Sequence, residues 1–432
     1  MKLLLLYRRR WWLIYLPLAV MLMAAMAVTL LWWEPLPPQR VVIGTGPAQS
    51  SYLDLAREYA VRLERAGIAV EIVPFSRPQD PLAQLASAQP RIDITFAQGL
   101  YADNAPGAQT LAVIGHEILW VVAREGIQSL QDLRNRRIAA SVEGSSNRLA
   151  AQMLLQHARI PPGEVVFSEE VGDKAVAALT EGRVDAVVHV ATGGSRTAGT
   201  LVRMEGFHLL PVEHVGSLVA KAPHLRAVIM PQGSIELRSN LPSADLPSAV
   251  TLTHLVARPG LHPALQRTLL DVADEIHVMA GFLERQGVYP TTVGSDFPVA
   301  PEALLHQQGT RPWLETLLPY GTAQWAQLIL FVVLPLGLLG SILLIRAPRY
   351  IEWRIEAALL HFYGELQFLE DEFSHLAQPG EDILWQFEQR VDALERMVTS
   401  LELPDQFTDR WYTLREHLDE VRLRIRAATE AA

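Results

Sequence analysis

The stretch at 41–56, VVIGTGPAQSSYLDLA, ends an apolar run in Gly44-Thr45-Gly46 and opens a helical pattern a few positions later. Glycines at such a turn let the backbone approach a ligand. The helix start that follows offers unpaired N–H groups and a partial positive charge to an anion. A dinucleotide fingerprint requires a third glycine, and Gln49 stands in its place. Asp93 and Asp185 recur in a shared phrase, LASAQPRIDITFA at 85–97 and LTEGRVDAVVHVA at 179–191. They could act as a catalytic carboxylate pair, but at strand entrances such residues more often hold a turn through backbone hydrogen bonds. Cysteine is absent, which excludes disulfides, thiolate metal sites and cysteine nucleophiles. The 13 histidines fall singly, without an H-x-x-x-H pair, so no metal site is expected. No Ser-His-Asp signature or nucleophile elbow stands out, so no catalytic residue is named and an enzyme is not expected.

What positions these residues follows from the wider chain. Its 432 residues suffice for two or three domains, and a net charge of −10 argues against a nucleic-acid partner. Residues 11–33 carry no charge and are long enough to span a bilayer. Lys2, Arg8, Arg9 and Arg10 precede them, placing residues 1–10 in the cytoplasm. Ala25-Met26-Ala27 mimics a signal-peptide cleavage site, but the apolar run continues through Trp33, which favours an uncleaved anchor. A second charge-free run, 326–345, is followed by Arg346, Arg349 and Arg354 and reads as a second transmembrane helix ending on the cytoplasmic side. The membrane lipid is thus an expected partner, and residues 39–320 lie outside the cytoplasm, in the periplasm of a bacterial inner-membrane protein. Nucleotides are not normally available there, so the glycine turn is a ligand cradle or a plain turn.

Residues 39–320 alternate β-rich runs with helical patterns, the signature of α/β units. VVIG (41–44), VEIVPF (70–75) and IDITFA (92–97) enclose helices at Tyr52–Arg65 and Asp80–Ala88. RIAASV (137–142), EVVF (164–167) and VDAVVHV (184–190) enclose helices from about Asn147 to His157 and from Asp173 to Thr180. Two similar halves predict a bilobed fold with a ligand cleft beyond the strand ends. Lobe 1 is expected over about 39–124 and 248–320, and lobe 2 over about 125–247.

IGTGPAQSSYLDLA, LASAQPRIDITFAQG, SLQDLRNRRIAASVEGSSNRLAAQMLLQHARI and LTEGRVDAVVHVA, in that order, resemble the TAXI family of solute receptors of TRAP transporters. The resemblance implies a periplasmic-binding-protein fold that closes on a small solute, often a dicarboxylate or an amino acid. It also implies a sodium-driven TRAP-type permease as partner, and no cofactor. Carried over by position, it implies four ligand-binding contributions. They are Gly44, Thr45, Gly46, Ser50, Ser51 and Tyr52; then Phe96 and Gln98; then Gly144, Ser145, Ser146 and Asn147; then His189, Ala191 and Thr192. Hydroxyls and amides at two opposed helix starts would suit a carboxylate, with Tyr52 closing over the ligand body. The plainer reading makes Ser145 and Ser146 N-caps and His189 a core histidine. The first loop departs from the family's glycine-rich pattern with Pro47, Ala48 and Gln49, and proline removes one N–H donor. Glu143 sets a negative charge beside the second-lobe loop.

After the second span, three apolar stripes recur at three- and four-residue spacing. They run from Ile351 through Phe373, from Leu384 through Leu401, and from Trp411 through Ala428. Pro379-Gly380 and Leu403-Pro404 punctuate them. Residues 350–432 are therefore expected to form a cytoplasmic, coiled-coil-like helical bundle. The expected fold class is α/β: a bilobed periplasmic-binding-protein fold flanked by two transmembrane helices, with an all-α C-terminal bundle. The leading function is a membrane-tethered solute-binding protein. The alternative is a receptor or scaffold that relays occupancy to a cytoplasmic partner through the tail.

Overall fold

A computed structural model describes residues 16–33, 37–47, 50–77, 79–376, 380–400 and 407–431. The expected cytoplasmic segment 1–10, the start of the first span, Ala48, Gln49, Leu401 and Leu403-Pro404 lie outside the described residues. The chain divides into two compact units, Pro35–Leu328 and a second formed by Met1–Glu34 with Ile329–Ala432.

The first unit is built on a ten-stranded sheet. In chain order the strands are β1 Arg40–Thr45, β2 Ala69–Pro74, β3 Ile94–Gln98, β4 Gln109–Arg124, β5 Arg137–Ala139, β6 Val166–Ser168, β7 Ala186–Ala191, β8 Phe207–Leu209, β9 Leu225–Met230 and β10 Leu246–Ala257. The spatial order is β2-β1-β3-β10-β4-β7-β5-β6, with β8 on β4 and β9 on β10. Parallel triplets β2-β1-β3 and β7-β5-β6 flank two long strands that run antiparallel to each other. β3 pairs antiparallel with β10 and β7 antiparallel with β4, so each triplet is closed by a different long strand. The two halves thus share a plan and exchange one strand.

Asp93 and Asp185 occupy equivalent places in this plan. Asp93 Oδ2 accepts from the Val42 N–H at 2.9 Å, and its Oδ1 meets Arg258 Nε at 2.8 Å. Asp185 Oδ2 accepts from the Arg137 N–H at 2.9 Å, and its Oδ1 lies 3.2 Å from an Arg124 nitrogen. Each carboxylate ties the entrance of one strand to the end of a long one.

The apolar spacing of the helix Ser51–Arg65 turns Leu53, Ala56, Tyr59 and Leu63 onto β1 and β3, with Asp54 in the first turn and Arg62 and Arg65 in the last. The helices Ser146–His157 and Asp173–Thr180 cover the second half, where Ala150, Leu154, Ala175 and Leu179 are buried. β5 ends at Ala139 rather than at Val142. Ser141 (φ 64) and Gly144 (φ 79) take left-handed backbone conformations that break the strand and turn the chain into the next helix. β4 and β10 are not among the strands that residue alternation predicts.

In the second unit, Leu16–Trp33 is helical, and Gly340 admits Leu22, whose Cδ1 would lie 2.7 Å from an added Cβ. Thr322–Arg346 is long and apolar enough to cross a membrane. The apolar part of the described N-terminal helix, Leu16–Thr29, is shorter. The tail's first helix begins inside the apolar run rather than at residue 350, and spans Leu334–Ser374 without a break. It meets Glu381–Thr399 and Thr408–Ala431 around a core that includes Leu359, Leu366, Phe387, Leu394, Val398, Leu414 and Ile425.

Candidate functional site

The first half's opening helix carries one wall of a cleft. Ser50 caps it: Oγ accepts from the Tyr52 N–H at 3.2 Å, and its carbonyl from the Leu53 N–H at 3.0 Å. This fixes Tyr52 inward, where its hydroxyl donates to Glu117 Oε1 at 2.6 Å. Thr253 Oγ1 donates to the same oxygen at 3.3 Å, and Gln98 Nε2 donates to Glu117 Oε2. Glu117 is 4% exposed and lies on β4 beside a register shift between Thr253 and His254 of β10. An irregularity in the middle of a long pair re-aims side chains and bends the strands. Burial pushes the Glu117 carboxyl above the usual carboxylate range, against the lowering effect of its three hydrogen bonds. Burial, and next the Glu117 charge, push the Tyr52 hydroxyl well up, so it donates throughout the physiological range.

The opposing wall comes from the loop after the helix Pro263–His277. Glu284 Oε1 accepts from the His116 N–H at 3.1 Å and lies 3.1 Å from His116 Nδ1. Phe282 stands 6.0 Å from the Trp120 ring and presses on Gly193, where an added Cβ would fall 2.2 Å from Phe282 Cβ. The absence of a side chain at Gly193 is what seats this loop on the second half.

Between these walls lies a cavity of about 580 Å³, reached by Ser51, Tyr52, Asp54, Glu58, His116, Thr192, Gly193, Thr253, His277, Phe282 and Glu284 among others. Its acidic side chains are Asp54, Glu58 and Glu284, and among the described residues no lysine or arginine lines it. Asp54 and Glu58 pair along their helix with Arg57 (3.0 Å) and Arg62 (3.2 Å). Burial lowers the His277 imidazole to about 4, so it is neutral at pH 7.

Of the residues expected to bind, Ser51, Tyr52 and Thr192 reach this cavity, and Gln98 stands behind it through Glu117. The others serve the framework nearby. Gly44 leaves room for Ile92, whose Cδ1 would lie 2.4 Å from a Cβ. Thr45 is buried with its hydroxyl toward the Gly46 carbonyl. Phe96 packs edge-on to Tyr59 at 5.1 Å. Ser145 is buried, donates to the Val142 carbonyl at 2.7 Å and caps Arg148 N–H. Gly144 offers its carbonyl to the Tyr101 hydroxyl, which lies beside Ser146. Asn147 Oδ1 accepts from the Val190 N–H at 2.8 Å, and the Ala191 carbonyl accepts from Trp120 Nε1 at 3.0 Å. His189, lowered to about 4 by burial, lies 3.5 Å from Ser195 Oγ. Glu143 is exposed. Glu117, His116, Glu284 and Phe282 form the cleft without having been expected there.

Two further clusters lie among the described residues. His254, fully buried, accepts from the Asp296 N–H at 3.1 Å, and Asp296 pairs with Arg226 at 3.0 Å. Asp271, Asp274 and His306 bring possible ligand atoms within 4.8 Å. His306 Nε2 bonds Asp274 at 2.8 Å and Asp271 bonds Arg311, so ion pairs already engage these groups.

Comparison with known proteins finds one family model and several distant solved structures. A family model described as NMT1/THI5 like matches residues 63–209, less than half of the chain. No curated protein matches the chain. Among solved structures, an ancestral arginine-binding protein bound to arginine is similar at 16% identity and a TM-score of 0.34, covering 55% of this chain and 92% of that one. The periplasmic aliphatic sulphonate binding protein SsuA from Escherichia coli is similar at 15% identity and a TM-score of 0.34, covering 55% and 72%. PhnD1 from Prochlorococcus marinus in complex with methylphosphonate is similar at 16% identity and a TM-score of 0.35, covering 54% and 84%. These likenesses are too distant to carry a ligand or a residue's role to this chain.

Proposed function

We propose that residues 39–320 capture a small solute in the cleft between the two sheet halves, and that the chain is a membrane-tethered solute-binding protein of the TAXI type serving a TRAP-type permease. The supporting observation is the cavity itself. It sits where β4 and β10 cross between the halves, beside their register shift, and both halves line it. Two crossing strands that bend at one point are a natural hinge, and hinge closure around a ligand is a standard device of such proteins. The two apolar runs tether the domain, which in this reading occupies the periplasm with both termini cytoplasmic. The carboxylate-bearing class of solute implied by the resemblance finds little support in the lining, since Ser50 already uses the Tyr52 and Leu53 N–H groups and, among the described residues, no lysine or arginine lines the cavity. The test is mass spectrometry of small molecules released by denaturing the full chain purified in detergent. One compound recovered in about one-to-one amount supports the reading, and consistent recovery of none counts against it.

A second reading is favoured by the unbroken helix Leu334–Ser374, which leads from apolar into charged sequence within the helical unit. A delivery protein does not need such a tail. A receptor that relays occupancy to a cytoplasmic partner does, and deleting residues 375–432 would then abolish a cytoplasmic response while solute binding persists.

A further inference from the structure

We propose that the cleft recognises its solute through a positively charged nitrogen, an amine or guanidinium, held by the Glu284 carboxylate. This rests on the solute-binding reading and adds the class of ligand. Glu284 lines the cavity, with a side chain 19% exposed. One of its oxygens is used by the His116 N–H and ring, while Oε2 has no hydrogen-bond partner among the described residues and no lysine or arginine pairs with it. His277 lines the same cavity, and its Nε2 is buried without a partner. The site therefore presents a carboxylate oxygen without a hydrogen bond beside a buried imidazole nitrogen without a partner, and the only ring that pairs with the carboxylate among the described residues is that of His116. An ammonium or guanidinium group brings several N–H donors and the opposite charge together.

Neighbouring groups favour the same sign. Glu117, next along β4, is a second buried carboxyl, satisfied by neutral donors alone from Tyr52, Thr253 and Gln98. Asp54 and Glu58 also line the cavity, each paired along its helix with an arginine that is not in the lining. At the start of the helix Ser51–Arg65 the Tyr52 and Leu53 N–H groups, which could hold an anion, are committed to Ser50, and His277 contributes no positive charge at neutral pH.

The experiment uses the full chain in detergent with five probes: agmatine, putrescine and L-arginine as cations, and succinate and glutarate as anions. Equilibrium dialysis at concentrations up to about 1 mM covers the affinity range of weak to moderate small-ligand sites. At least one cation is expected to bind saturably. Glu284→Gln should weaken it by about tenfold or more, the range of a lost charge-assisted hydrogen bond. Glu64→Gln, an exposed carboxylate on the same helix outside the cavity lining, should change it by less than about threefold, as expected of a screened charge. Should Glu284→Gln fail to fold, Glu284→Asp, which keeps the charge on a shorter stem, serves in its place and is expected to retain measurable binding of the cation. Binding of a dicarboxylate but not of a cation overturns the inference and leaves the solute-binding reading standing. Equal loss in the Glu284 and Glu64 variants also overturns it. Failure of every probe overturns it as well, and the solute-binding reading falls with it only if denatured protein releases no compound.

Discussion

The Tyr52 hydroxyl and the Glu117 carboxylate meet at 2.6 Å across the base of the cleft, joining the first helix of the unit to the middle of its longest strand. The pair fixes the wall of the cavity, which Tyr52 lines and Glu117 backs. Tyr52→Phe leaves Glu117 Oε1 with only the 3.3 Å contact from Thr253. We expect this change to cost about 1–2 kcal/mol of unfolding free energy, the usual penalty for under-satisfying a buried acceptor. Urea titrations of the two proteins measure it directly, and identical midpoints would show that the bond contributes nothing.

Glu117 and His254 make opposite demands on pH. The folded-state value of Glu117 is raised above 4.5 by burial, so its contribution to stability is present below that value and lost as pH rises through the folded value. His254 falls from 6.5 to about 4, chiefly by burial, so its contribution is present above 6.5 and lost as pH falls toward 4. Glu117→Gln should therefore flatten the decline with rising pH, and His254→Gln the decline with falling pH. Unfolding midpoints measured across this range for the three proteins would run parallel if neither group is perturbed.

Much of this framework was legible in the residues. Gly172 and Gly182 bracket the helix Asp173–Thr180, and its bounds follow from them. Most helices and strands of both triplets lie within a few residues of their expected positions, and the three apolar stripes of the tail do meet in one core. The long strands were hidden for a physical reason. β4 is buried on both faces, so it lacks alternation, and His116 and Glu117 interrupt its apolar run. The cleft shares that obscurity: Glu117 lies on this unmarked strand, and Glu284 in a loop with no periodicity. Tyr52 was legible because a capped helix start announces itself, whereas the partner it bonds lies 65 positions away.

Gly193 should be sensitive to the smallest substitution. In Gly193→Ala the new methyl would meet Phe282, so the segment around residues 278–290 must lift from the second half. Faster amide hydrogen exchange confined to that segment is the expected result. Unchanged exchange would mean that Phe282 finds another seat at no cost.

The two equivalent aspartates are expected to act on stability and leave binding alone. Asp93→Ala strands the Val42 N–H and frees Arg258, and Asp185→Ala does the same to the Arg137 N–H and Arg124. Each loss should cost about 1–3 kcal/mol, the range for orphaning a buried or partly buried polar group. Thermal unfolding reads the loss, and solute affinity per folded molecule should stay constant. An affinity change without a stability change would restore a functional role to the pair.

The helical unit separates core from surface cleanly enough to test what the tail is for. Val398 and Leu414 are fully buried between the helices, so an aspartate at either position should abolish their packing and the helical signal that depends on it. Trp353, Trp385 and Tyr412 are by contrast 61%, 62% and 60% exposed. Alanine at an exposed aromatic position is expected to change stability by no more than about 0.5 kcal/mol. Exposed aromatic side chains are favoured anchors for association. The Trp353→Ala, Trp385→Ala and Tyr412→Ala triple variant should therefore keep its fold by circular dichroism and its solute binding by dialysis, while losing association with a second copy or with a cytoplasmic partner in cross-linking of intact cells. Cross-linking that persists unchanged in the triple variant would remove these aromatic residues from any interface and leave the tail as a bundle that serves only to pack on itself.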